Sequence, residues 1–430
     1  MLSITDSKVK SWRRLAPYQQ TWLLVLLGLL VIETFSFVGF GPGGVPNIHV
    51  FQALAFLQGH VYLPFSQKGL NFDIALHNGH YQCPFPPFPA AVLVPFVAIF
   101  GTSTHVVPIS LALTALNVFV LTRLLQKLNV DSRFIPWLLA AFFLGSPYWN
   151  VVRWSEVGSY FSHVVAVTGI FLALNEAFGT ARGILVGVFL GMAFLSRQLS
   201  LYTAIVLSVI LWQHPRFITN KKRLSSLLLF FGSFSIAIAI YLIFNWLRFD
   251  HPFDTGYSQW LETDFFMAER QKHYGHFHPV YFFHNFVYMF VQGFHLEFSL
   301  PMYLDKPRID QFGTSLTFAS PFIFFAFLAR PRRLLLWGAW SSITLCLLHA
   351  LFYYSNGWVQ ANGIRYALDF LPVLMLLVAL GIRSVESKLW KAAIAYSIGL
   401  NLLAFSLIPH AYDLYMAVLR WGKRIWLYLV

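Results

Sequence analysis

The chain has 430 residues, of which 57% are hydrophobic and 18% aromatic while only 11% are charged, far below the quarter or so usual in soluble domains. With a mean hydropathy of +0.62, that balance excludes an ordinary soluble enzyme and predicts an integral membrane protein. The net charge of +13 does not indicate nucleic-acid binding, because the basic residues sit in short segments beside apolar runs, the distribution of cytoplasmic loops drawn to anionic membrane lipids.

Lys8, Lys10, Arg13 and Arg14 precede the first apolar run, residues 21 to 41. No small-residue cleavage site follows it, so it is read as a retained helix with a cytoplasmic N-terminus. A polar, histidine-rich outer loop comes next, residues 41 to 86, in which Ile48 to Leu57 has the spacing of an interfacial helix lying along the membrane surface. The prolines at 84, 86, 87 and 89 then enforce an extended entry into the following segment. Further spanning helices are expected at 105 to 126, 134 to 150, 158 to 178, 182 to 196, 199 to 213, 224 to 246, 315 to 329, 334 to 354, 367 to 383 and 389 to 409, with 86 to 101 ambiguous.

These elements predict an all-α fold, a single polytopic domain over residues 1–430 with about 11–13 helices. Basic residues at 123 to 133, at Arg182, at 214 to 223, at 330 to 333 and at 383 to 391 favour the cytoplasm. For the first three groups to share that side, either residues 86 to 100 begin and end on the outer face or a neighbouring helix is miscounted. The same alternation sends residues 41 to 86, 151 to 157, 196 to 198, the long loop 248 to 314 and 355 to 366 outward. Of the 17 acidic residues, 8 lie between Asp250 and Asp310, so chemistry is expected on the extracytoplasmic face.

Asp73 is the only acid between Glu33 and Asp131, and His77, His80 and Tyr81 follow it. A carboxylate so placed suits removal of a proton from a sugar hydroxyl, or a divalent cation (Mg or Mn) held beside a lipid phosphate; a turn-capping role is the plain alternative. His49 heads the interfacial helix as a second candidate metal or phosphate ligand. Arg153, Glu156 and His163 gather at the mouth of one helix, where they either line a pocket or, for Arg153 and Glu156, form a surface ion pair. Arg197 ends an apolar helix in which Gly187 and Gly191 allow close packing, and an arginine there is costly without an anionic partner such as a polyprenyl phosphate, snorkelling to the lipid headgroups being the plain alternative. Asn245 to Tyr257 closes another helix in a polar turn, and Arg365 stands four residues before Asp369, a spacing that permits mutual neutralisation. His273, His276 and His278 lack a completing cysteine or carboxylate and read as a solvated loop, and Cys83 and Cys346 make neither a disulfide framework nor a metal pattern.

Taken together, Ala53-Leu54-Ala55-Phe56-Leu57-Gln58-Gly59, Asp73 to Pro89 with its Asn-Gly-x-Tyr and Pro-Pro elements, Gly187 to Arg197, Asn245 to Tyr257, and Gly363-Ile364-Arg365-Tyr366 resemble the GT-C superfamily of membrane glycosyltransferases. The closest likeness is to the branch of protein O-mannosyltransferases and the aminoarabinose transferase of lipid A. The resemblance implies transfer of a sugar from a polyprenyl-phosphate carrier to a lipid, glycan or protein acceptor, usually with inversion. It implies Asp73 as base, His49 and His80 positioning acceptor or cation, Arg197 and Arg365 holding the donor phosphate, and Tyr81, Arg153, Glu156, His163 and Tyr257 lining the site. Where many relatives carry an acid soon after the first helix, this chain reads Pro46-Asn47-Ile48-His49, and Asp73 is the substitute. A lipid-linked-sugar flippase and a noncatalytic assembly partner are the alternatives; a flippase should show duplicated halves and polar residues at mid-membrane, whereas only Glu33 lies well inside an early helix.

Overall fold

The computed structural model describes residues 47–64, 74–259, 266–297, 308–309, 313–357 and 362–406. The helix expected at 21 to 41, and Asp73, lie outside the described residues. The fold opens with α1 (Ile48–Leu57), a hairpin of β1 (Ala75–His77) and β2 (His80–Gln82), α2 (Phe88–Phe100), α3 (Val106–Lys127), α4 (Ile135–Phe143) and α5 (Tyr148–Arg153). It continues through α6 (Tyr160–Ala177), α7 (Gly183–Phe194), α8 (Thr203–Gln213) and the 30-residue α9 (Asn220–Phe249). Then come α10 (Phe266–Tyr274), α11 (Val280–Phe286), a short pair of β3 (Leu296–Glu297) and β4 (Arg308–Ile309), the single turn α12 (Leu316–Ala319), α13 (Arg333–Phe352), α14 (Leu371–Gly381) and α15 (Ser387–Ser406). Four of these, α3, α6, α9 and α13, are long and apolar enough to cross a membrane.

Hydrogen bonds sort the connections into two groups. In one, Lys127 Nζ donates to both oxygens of Asn175 (2.5 and 2.8 Å), Arg216 to the Thr180 carbonyl (2.5 Å) and Arg383 to the Leu128 carbonyl. In the other, Asn47 Nδ2 donates to the Ser155 carbonyl (2.8 Å), the Phe88 N–H to Leu195 (3.0 Å), the Gly363 N–H to Thr314 (3.0 Å) and the Tyr354 N–H to His276 (2.9 Å). Helices α3, α6, α7 and α9 run from one group to the other, so the molecule has a basic end and a second end built from the loops that the charge alternation sends outward. α2 does not make that crossing. It starts at the Leu195 contact and is followed by Val106, which is capped by Glu156 from the same end, so the ambiguous segment begins and ends on one side.

Several expected helices are broken, each for a local reason. Residues 134 to 150 divide into α4 and α5 at Leu144-Gly145-Ser146-Pro147, where Pro147 cannot donate and Ser146 Oγ accepts from the Tyr148 N–H instead (3.1 Å). The segment 315 to 329 becomes α12 and a 3₁₀ stretch, Pro321–Leu328, because Pro321 interrupts the backbone ladder. Likewise Pro372 starts α14 and leaves Arg365–Asp369 as a separate 3₁₀ turn. α9 exceeds expectation because Thr219 caps it four residues earlier than the apolar run begins. α1 occupies the expected residues; its face with His49, Val50, Gln52 and Ala53 is buried against the rest of the fold, α2 and α6 included, while Phe51, Leu54 and Phe56 are half-buried and Leu57 is exposed.

α7 packs between α6 and α9, and the contact depends on small residues. A Cβ at Gly183 would strike the Ser226 carbonyl, and one at Gly187 the Ser233 hydroxyl and the Phe230 carbonyl; Gly191 faces Ala237. The expected close packing at Gly187 and Gly191 is present. Gly187→Ala should therefore destabilise the protein by about 1–3 kcal/mol through overpacking, whereas Gly232→Ala, whose Cβ meets nothing within 4 Å, should leave stability unchanged or raise it by helix propensity. Thermal unfolding in detergent measures both, and equal shifts would refute the seam.

Candidate functional site

The end opposite the basic one is assembled around α1. Asn47 accepts from the His49 N–H (2.8 Å) and donates to the carbonyls of Ser155 (2.8 Å) and Gly158 (3.1 Å). His49 bonds Gln52 Oε1 through Nδ1 (3.1 Å) and Ser162 Oγ through Nε2 (2.8 Å). Since Gln52 Oε1 only accepts, Nδ1 carries the proton and Nε2 accepts from the hydroxyl. Burial pushes the imidazole pKa down to about 4. Both ring nitrogens are thus committed to joining α1 to α6, and His49 reaches no cation or phosphate without giving up one of them.

Glu156 does not line a pocket either. Its Oε1 accepts from the N–H groups of Val106 (2.8 Å) and Val107 (3.0 Å), capping α3, with His105 Nδ1 at 3.6 Å. A carboxylate at a helix N-terminus meets unpaired donors and the positive end of the dipole. Burial nonetheless raises its pKa. Arg153 is buried in the last turn of α5, and the expected ion pair with Glu156 does not form.

Asn78-Gly79 turns the β-hairpin with φ of 48° and 77°, the left-handed pair that a two-residue turn requires. His77 faces His80 across it. His77 Nε2 binds Asp250 Oδ2 (2.9 Å), Nδ1 binds Gln259 Oε1 (2.8 Å), and Asn78 donates to Asp250 (2.8 Å). His80 takes no part in this clasp and is exposed, stacked on Tyr62 at 4.4 Å, which in turn stacks on His60 at 4.6 Å. Behind the hairpin, Ile74, Cys83 and Phe85 form an apolar cluster with Tyr81 and Tyr257 against it. Arg248, buried at the end of α9, donates to the carbonyls of Cys83 and Phe85 and to Asn245 Oδ1 (2.7 Å), and lies over the Phe244 ring at 4.1 Å.

The remaining candidates converge. Arg197 donates from Nε to Asp369 Oδ1 (3.1 Å) and from Nη2 to Oδ2 (2.7 Å), a two-pronged ion pair that is 14% exposed on the arginine side and 1% on the carboxylate. The Arg197 guanidinium lies 4.8 Å from the Tyr366 ring centre, and the His163 ring stacks against Tyr366 with centres 6.0 Å apart and 27° between planes. His163 Nδ1 is 3.9 Å from Asp369 Oδ1. Arg365 donates to the Tyr160 hydroxyl (3.0 Å) and the Gly357 carbonyl and covers the Tyr160 ring at 4.3 Å. Tyr257 and Tyr353 lie within electrostatic reach of Arg197, and burial pushes the Tyr257 phenol well above its usual pKa, which keeps it a protonated donor. Gly363 makes this approach possible, since its φ is +72° and a Cβ would meet Pro147 at 2.8 Å.

Arg197, Arg365, His163 and Tyr257 therefore share one site, while His49, Glu156 and Arg153 build the wall behind it and His80 stands outside. The neutralisation of Arg365 by Asp369 does not occur. Their spacing suits an α-helix, but in a 3₁₀ turn residues three apart align instead, and Asp369 turns to Arg197. Tyr366 and Tyr160 are the site residues that pattern reading did not single out, and Asp369 was read only as a neutralising partner of Arg365, although an arginine needing an anion and an acid set against an apolar run are complementary signals. Among the described residues no three His, Cys, Asp or Glu side chains gather to hold a metal ion, and Cys83 and Cys346 are buried and form no disulfide there. Comparison with protein families, with curated proteins and with solved structures finds no match.

The clasp between hairpin and α9 gives a pH prediction. Its hydrogen bond to Asp250 raises the His77 pKa above 6.5, and the same bond lowers that of Asp250 below 3.8. The histidine's contribution is complete below its unfolded pKa and is lost as pH rises through the raised folded value; the aspartate's is complete above 3.8 and lost as pH falls through the lowered value. Protection of residues 74–82 from proteolysis should be greatest between those limits and decline on both sides. Asp250→Asn, which tolerates the φ of 56° here, should flatten the profile; an unchanged profile would refute the clasp.

Proposed function

We propose that the chain is a membrane glycosyltransferase of GT-C type, multi-pass in a bacterial inner membrane with its N-terminus in the cytoplasm and its site on the extracytoplasmic face. It would take a sugar from a polyprenyl-phosphate carrier and transfer it to a lipid, glycan or protein acceptor. The observation that most supports this reading is the junction of two parts of the outer end. Ile74, the residue after Asp73, packs in one cluster with Tyr257, and Tyr257 lies within electrostatic reach of Arg197. The segment that leads out of Asp73 thus adjoins a largely buried group of two arginines, an imidazole and phenols.

In the proposed reaction the acceptor oxygen forms a bond to the anomeric carbon, the bond from that carbon to the phosphate oxygen breaks, and the acceptor proton passes to the Asp73 carboxylate. Charge grows on the departing phosphate, so cations and O–H donors fixed nearby stabilise the transition state more than the ground state. Arg365 and Arg197 supply the cations, and Tyr257 supplies a hydroxyl that stays protonated. A divalent cation would take Asp73 among its ligands.

Reconstitution in vesicles with candidate polyprenyl-phosphate sugars tests the reading. Asp73→Asn should reduce kcat by about 10²–10⁴-fold, the usual contribution of a general base, with a smaller change in KM. Equal transfer by both proteins would remove Asp73 from the mechanism. Absence of transfer by the unaltered protein with every such donor would favour a flippase or an assembly partner.

A further inference from the structure

We propose that His163 is a positioning residue that takes over the Asp369 carboxylate, with uptake of one proton, when a phosphate group draws Arg197 away from it. The inference rests on the glycosyltransferase reading for the identity of the anion but on the geometry of the cluster for the coupling.

Three observations lead to it. Arg197 is already engaged: both oxygens of Asp369 are bonded by its guanidinium, at 3.1 and 2.7 Å, so its charge is largely neutralised while that pair stands and only its remaining N–H groups are left for a phosphate. Asp369 is 1% exposed, so water cannot replace the guanidinium if it leaves, and an uncompensated buried carboxylate is costly. His163 is 0% exposed, both ring nitrogens lack a hydrogen-bond partner among the described residues, and its Nδ1 stands 3.9 Å from the same carboxylate. A buried imidazole with neither nitrogen satisfied is rare enough to require a reason. Here the reason is a second state in which Nδ1–H closes on Asp369 and the imidazolium replaces Arg197 as counter-ion.

The proton goes to the imidazole because His is intrinsically more basic than Asp by more than two pKa units and because His163 lies against the Tyr366 ring face. Burial opposes a charge on His163, as do the neighbouring guanidinium groups of Arg197 and Arg365, so the second state forms only when Arg197 has left Asp369. Cys346 and His349 feel the same ion pair, but His349 Nδ1 is engaged by the Tyr202 hydroxyl at 3.1 Å. The consequence is that a phosphate-bearing lipid binds together with a proton, and its affinity changes by up to about tenfold per pH unit while His163 titrates.

Two measurements test this. In histidine-labelled protein in micelles, the His163 resonance, assigned by its loss in His163→Asn, should be that of a neutral ring at pH 7 in the unaltered chain and of a charged ring in Arg197→Gln. Arg197→Gln/Asp369→Asn should return it to neutral. A ring that stays neutral in folded Arg197→Gln overturns the proposal. Should that variant not fold, calorimetry of the unaltered protein with a short polyprenyl phosphate, in two buffers of different ionisation enthalpy, decides the matter. About one more proton should be taken up than by His163→Asn, and equal uptake overturns the proposal. Inorganic phosphate in the same cell separates a lipid-phosphate site from a site for the free ion. Failure of either ligand to bind at any pH would sink the carrier-lipid reading, leaving the resonance measurement to judge the role of His163.

Discussion

Arg197 and Asp369 stand 172 residues apart, and the buried ion pair between them joins the end of α7 to the turn before α14. Moving either charge out of water costs several kcal/mol, so neither side chain is tolerable at its position without the other. Their two parallel hydrogen bonds also fix orientation, because the guanidinium fork matches a carboxylate in one plane. Tyr366 and Arg365 follow from that anchoring, since the short 3₁₀ turn carrying Asp369 carries them too, and His163 meets them from the first turn of α6. The polar cluster at the outer end is the set of side chains that this one pair gathers.

The same constraint recurs elsewhere in a chain so poor in charge. Arg248 finds carbonyls 165 and 163 residues away in sequence, and two phenylalanine rings cover its faces. Glu156 finds the free N–H groups at the start of α3. Asn47 bridges to the 155–158 turn, and His49 to Ser162. In each instance a polar side chain in apolar surroundings is satisfied at long range, and its partner is a loop or a helix end, where backbone groups are unpaired. Such bonds hold the first outer loop, α1 and the 248–259 segment against the helix ends, and so place the residues after Asp73 beside Tyr257. Function and architecture draw on the same few polar groups.

Much of this was legible in the sequence. Apolar runs located most helices to within a few residues; basic loops sorted the connections into the two groups that hydrogen bonds later joined; Gly187 and Gly191 announced a close helix contact. Legibility failed where a local signal competed with periodicity, as at Ser146-Pro147 and Ser320-Pro321, where a proline broke runs that hydropathy treated as continuous. It failed again at Asn78-Gly79, whose left-handed turn between alternating residues specified a hairpin that the surrounding polar loop concealed.

Composition and spacing by themselves determined that the chain is mostly helical, which residues are too polar for their surroundings, and hence that Arg197 required an anion. They are properties of one residue and its neighbours, and so can be read along a line. Which anion it is, why Arg365 turns from Asp369 to Tyr160, and why His49 and Glu156 are structural while His163 is left unsatisfied were decided by the tertiary structure alone. The physical reason is that hydrogen bonds reach only about 3 Å, and which groups come within that distance depends on how helices far apart in sequence are packed.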